Sequence, residues 1–147
     1  MHPFDIKALL QDKHAQHVVL IHFPIALFIS GAALDFAAHW TKKNSLAVAA
    51  YCNLLLAAVA TLPTVATGFV AWQWALEGQH LNGILLMHVI FGLISTLLIW
   101  AVWRIHFRVR RVEGMSLPSW RLPLEFVGVV LLGVTGHLGG LLSGVNV

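Results

Sequence analysis

Residues 17–38 read HVVLIHFPIALFISGAALDFAA, an apolar run broken only by two histidines, His17 and His22, and one carboxylate, Asp35. About 20 apolar residues in a helix cover the roughly 30 Å of hydrocarbon in a bilayer, so the stretch reads as a membrane-crossing helix. It follows a mixed-charge segment (Asp5, Lys7, Asp12, Lys13) and exceeds the apolar core of a leader peptide, so a retained helix is expected. Spans are expected at 18–38, 46–76, 81–103 and 122–142. The chain of 147 residues is 59% hydrophobic and 10% charged, with a mean hydropathy of +0.81, which excludes an ordinary soluble domain. The fold class is therefore all-α. Short loops make it a four-transmembrane-helix up-down bundle in a single membrane domain, residues 1–147.

Charge sets the orientation. The first loop holds Lys42 and Lys43, and Arg104, Arg108, Arg110, Arg111 and Arg121 surround the third. The second loop, 77–80 (EGQH), has neither Lys nor Arg, and the N-terminal arm has only Lys7 and Lys13. The positive-inside rule puts loops one and three in the cytoplasm and both termini outside, N-out/C-out, as for a multi-pass protein of a bacterial inner membrane. Trp72 and Trp74 suit the outer interfacial belt; Trp40, Trp100 and Trp103 suit the inner one. The net charge of +3 and pI near 9.5 lie at helix ends and so reflect topology, with no nucleic-acid partner implied.

The segment expected at 46–76 is long for a straight span. Pro63 can kink it, with Thr61 and Thr64 bonding the freed carbonyls. In the outer-face arm, 1–16, Ile6, Leu9 and Leu10 share one face of a short interfacial helix, or the arm stays disordered. Cys52 is the lone cysteine, so no internal disulfide forms.

Ionisable groups inside a membrane are expensive and by default mark function. His22, His137 and His88 lie roughly 7, 8 and 11 Å inside the outer ends of their spans. Each belongs to a stripe of small residues at helical spacing: His22 with Ala26, Ser30, Ala33 and Ala37; His88 with Gly92 and Ser95; His137 with Gly133, Gly140 and Gly144. Such stripes face other helices, and on their own they read as tight packing. With a histidine in each, they also suit a flat macrocycle that needs an axial imidazole and space on both faces. Haem b fits, since no CxxCH attachment motif is present and bis-histidine ligation makes a low-spin electron carrier.

Two other readings stay open: purely structural histidines, and a metal-ion site. Zinc or copper sites usually add a thiolate or carboxylate, and Asp35, Glu125 and Cys52 all lie toward the inner end. His17 points about 140° away from His22, so it serves a propionate, a second cofactor or the headgroups. His80 and His14 read as interfacial, and His39 and His106 as inner-rim residues. Asp35 and Glu125 are expected to pair with Arg104 or Arg121.

The opening HVVLIHFPIALFISGAALDF (17–36) resembles the signature HPxLVHFPIALL of a bacterial membrane-protein family of unknown function, which carries an acidic residue about a dozen positions on. His17, His22, Phe23, Pro24 and Asp35 match, and Val18 replaces the usual proline. The resemblance continues through ATGFVAW (66–72), HVIFG (88–92) and the C-terminal TGHLGGLLSGVNV. It implies a four-helix membrane domain that sometimes neighbours cytochrome-like or other redox modules, and it ranks His22 and His88 first as axial ligands, with His137 the alternative.

The expectation is a membrane b-type cytochrome-like electron-transfer subunit. Its haem lies near the periplasmic face, beside a periplasmic c-type cytochrome, a dehydrogenase subunit or the quinone pool. Its candidate site is His22, His88, His137 and His17 with Gly92, Gly133 and Gly140. A structural or assembly subunit without its own cofactor and a metal-ion-binding membrane protein are the alternatives. No nucleophile–base pair, metalloprotease motif or phosphate loop points to independent catalysis.

Overall fold

The computed structural model describes residues 13–74 and 76–143, apart from the side chains of residues 13 and 14. The arm residues Ile6, Leu9 and Leu10, and Gly144, lie outside it. Four helices follow in order: α1 (Lys13–Thr41), α2 (Asn44–Trp74), α3 (Gly83–Arg111) and α4 (Arg121–Leu142), with no strand among the described residues. All four are long and apolar enough to cross a membrane. The helices outrun some of the apolar segments; α3 continues through Arg104, Arg108, Arg110 and Arg111. Backbone hydrogen bonds are satisfied most cheaply inside the helix until water is reached, so a helix extends beyond its hydrophobic span.

Two residues, Lys42 and Lys43, join α1 to α2. Lys42 adopts a left-handed φ of 58° and donates its N–H to the Ala38 carbonyl at 2.9 Å, which closes the helix end. The tightness of this link makes α1 and α2 the most intimate pair, followed by α3 and α4. Looser α2–α3 and α1–α4 contacts close the ring, leaving α1 and α3 on one diagonal. Small residues permit the close approach: a Cβ at Gly31 would stand 3.0 Å from the Leu54 side chain.

Proline chemistry also ties α1 to α2. Pro24 has no N–H, so the Leu20 carbonyl one turn earlier lacks its helical donor. Thr64 of α2 donates to that carbonyl at 3.3 Å. Thr61 and Thr64 were expected to serve the carbonyl freed by Pro63. Instead Thr61 donates to Ala58 O at 2.7 Å and Thr64 to Ala60 O at 2.8 Å. Thr61 also accepts from the Trp100 indole N–H at 3.0 Å, which links α2 to α3.

The core lies at mid-height and draws on every helix: Phe28, Leu54, Ala57, Ala58, Ile99, Val102 and Leu132. Trp100 and Trp103 pack against it, so both indoles turn partly inward. Trp40, Trp74 and Trp120 are the indoles left well exposed near helix ends. At Gly128, an added Cβ would fall 2.6 Å from Leu98 Cδ2 and 2.7 Å from Phe28 Cε1, and Phe28 is fully enclosed. Gly128→Ala should therefore lose about 1–3 kcal/mol by overpacking. Unfolding in detergent measures this, and a wild-type transition would show that the core yields more readily than its packing implies.

Candidate functional site

Two polar layers sit above and below this core. In α1, His17 and Asp35 are eighteen residues apart, and in α3 so are His88 and His106. At 100° per residue that is five full turns, so the members of each pair share a helix face about 27 Å apart. One layer lies toward the termini, the other toward the basic loops.

In the layer near the termini, His17 Nδ1 contacts the Thr64 carbonyl at 3.1 Å and Thr67 Oγ1 at 3.3 Å. His88 Nδ1 contacts the Thr135 carbonyl at 3.1 Å. A carbonyl can only accept, so Nδ1 carries a proton in both rings, and in the neutral form the lone pair falls on Nε2. The two rings, from diagonal helices, have centroids 6.5 Å apart and planes at 86°. Glycines of the other two helices back them. A Cβ at Gly68 would stand 2.9 Å from His17 Cε1, and one at Gly139 would stand 3.1 Å from His88 Cε1.

The other expected residues are placed differently. His22 is exposed, with Nδ1 donating to the Val18 carbonyl of its own helix at 2.7 Å. His137 is also exposed. Gly92 lies near the Thr135 methyl, where a Cβ would stand at 3.8 Å; Gly133 faces open space, and Gly140 is half-buried. The ring that meets His88 is thus that of His17, and the glycine against His88 is Gly139.

The layer at the basic end is more deeply buried. Asp35, His106, Arg121 and Glu125 are exposed by only 1, 3, 3 and 2%. Arg121 grips Asp35 with two bonds, Nε to Oδ2 at 2.6 Å and Nη2 to Oδ1 at 3.2 Å. Its Nη1 donates to the Pro118 carbonyl at 3.1 Å and the Leu117 carbonyl at 3.4 Å. His106 Nε2 lies 3.1 Å from Glu125 Oε1 and 3.9 Å from Asp35 Oδ2. Glu125 Oε2 is buried without a hydrogen-bond partner.

Two expectations are corrected here. His106 belongs inside, not at the rim, because its side of α3 faces both carboxylates. Of those carboxylates, Asp35 takes Arg121 as expected, but Glu125 meets the histidine, while Arg104 points outward. His39, the other rim candidate, is half-buried.

Asp35, His106 and Glu125 present ligand atoms within 4.8 Å of one another, a set that can hold a metal ion. Charge argues against a dication. With both carboxylates ionised, Arg121 offsets one of them, and a single proton on the His106–Glu125 pair brings the buried layer to zero. A dication would leave it with a net positive charge beside a fixed guanidinium. Buried net charge is costly, so the layer suits a proton.

The family model described as Predicted membrane protein (DUF2231) matches residues 13–146. No curated protein and no solved structure matches the chain.

Proposed function

The chain belongs to the DUF2231 family of membrane proteins, and from that premise we propose that it is a membrane b-type cytochrome-like electron-transfer subunit whose haem b is held by His17 and His88. The observation that carries this reading is the pair of imidazoles presented by opposite helices, 6.5 Å apart, each anchored through Nδ1 to a backbone carbonyl. Metal-ligating histidines almost always donate their other ring nitrogen to a carbonyl or carboxylate, which fixes tautomer and orientation. His17 and His88 would hold the group through their remaining ring nitrogens, the Nε2 atoms. Gly68 and Gly139 supply the clearance such rings need.

Bound there, haem b would supply one-electron chemistry, with its potential set by two neutral nitrogen ligands and a membrane environment. The chain's own work is to orient both rings and keep the site within the bundle. The distribution of lysine and arginine supports a cytoplasmic basic end, so the histidine layer would lie near the periplasmic face of a bacterial inner membrane. A periplasmic c-type cytochrome or dehydrogenase subunit would then exchange electrons with it.

The visible spectrum of the purified protein tests this directly. A reducible low-spin spectrum with Soret and α bands is expected. A colourless protein free of metal would instead favour a structural subunit, and a colourless, metal-loaded one an ion-binding role.

A further inference from the structure

Between α1 and α4, the loosest closure of the ring leaves a groove of about 330 Å³. Its walls include Ala32, Ala33 and Phe36 of α1 and Glu125, Phe126 and Val129 of α4. That volume is at the lower end for small-molecule sites, about 300–1,000 Å³. Every lining residue except Glu125 is apolar. We propose that this groove binds a neutral, lipid-soluble ring compound of the quinone class, with the Glu125 carboxyl as its hydrogen-bond partner.

The carboxyl supplies the polar handle. Its Oε1 is engaged by His106, whereas Oε2 lacks a partner among the described residues and lies beneath the groove surface, so a bound ring would meet it by a turn of the carboxyl. Such an orphan is rare in folded proteins and calls for a partner supplied from outside the fold. Arg121 is committed to Asp35 and to two backbone carbonyls, and the Trp103 indole N–H, the other buried polar atom without a partner among the described residues, does not bond it.

The walls select the rest of the ligand. Ala32 and Ala33 leave room where larger side chains would fill it. Phe36 and Phe126 are 54 and 68% exposed, so aromatic faces are available on both helices beside a flat ring. A charged ligand would lose its hydration against apolar walls, where Glu125, the one charged lining residue, is already engaged by His106. A lipid acyl chain would fill the volume but leave Oε2 unpaired. A ring oxygen satisfies both demands: a quinone carbonyl accepts from protonated Glu125, and a quinol hydroxyl donates to the ionised form.

The test uses the full chain in phosphatidylcholine nanodiscs, with an azido-benzoquinone bearing a ten-carbon tail as photolabel. Labelling should map to 29–36 and 122–129 and be suppressed by excess decylubiquinone but not by decanol. Ala33→Phe, a change at an exposed position, should fill the groove and weaken labelling by at least roughly tenfold. Glu125→Leu should do the same, while Glu125→Gln keeps a hydrogen-bonding head and retains labelling; if Glu125→Leu fails to fold, Ala33→Phe decides. Labelling that maps elsewhere, survives Ala33→Phe or yields equally to decanol overturns the proposal. None of these readouts depends on haem.

Discussion

Arg121→Leu should remove about 3–5 kcal/mol of stability, the cost of leaving one buried charge without its partner. Asp35 is 1% exposed, and its two carboxylate oxygens are the acceptors of the Arg121 fork. Removing the guanidinium strands that carboxylate in a low-dielectric layer and releases the carbonyls of Leu117 and Pro118. A loss of that size is a large share of the about 5–15 kcal/mol that holds a typical protein folded. Membrane yield and the midpoint of thermal unfolding in detergent should both fall sharply. Converting both partners, Asp35→Leu with Arg121→Met, should recover much of the loss, because an apolar pair of similar volume carries no desolvation cost. If Arg121→Leu melts like the wild type, the ion pair is not holding α1 to α4.

The second large effect belongs to the histidine layer. His17→Ala and His88→Ala should each lower haem content at least ~tenfold or convert the residue to a high-spin spectrum, since either change removes one axial nitrogen. His22→Ala and His137→Ala should leave the low-spin spectrum in place, because both rings are exposed and His22 is bonded within its own helix. Added imidazole should restore the spectrum of the alanine variants at His17 and His88 by entering the vacated position. Retention of a wild-type spectrum in both of those variants would refute the ligand pair. Loss of the spectrum in His22→Ala alone would move the site one turn along α1.

The helices were legible because a membrane imposes a single demand, about 20 apolar residues satisfied internally, and the chain meets it four times. The sites were harder, because helix face depends on the sum of many turns. His22 drew attention through its small-residue stripe, yet that stripe serves different neighbours: Ser30 bonds Asn53 of α2 at 3.1 Å, whereas Ala33 lines the groove toward α4. His17, nearer the helix end, is the ring that reaches across the diagonal. The signal that could have found both layers was the eighteen-residue spacing in α1 and again in α3. His106 was misplaced because the arginines around it mark a rim, whereas its own face of α3 turns inward to Glu125. At Pro24 the freed carbonyl of Leu20 is satisfied by Thr64 of the neighbouring helix. Local sequence carries no trace of that.

The Asp35–Arg121 pair also orders events during synthesis. The two residues are 86 positions apart, with the carboxylate on α1 and the guanidinium at the start of α4, so the carboxylate is made well before its partner. Until α4 emerges, Asp35 lacks that guanidinium and has beside it only His106 of α3, 3.9 Å away in the finished bundle, and an intramembrane carboxylate alone is strongly disfavoured. The buried carboxylate of α1 is therefore matched only by a helix made later in the same chain, so the ion pair joins early and late parts of the bundle.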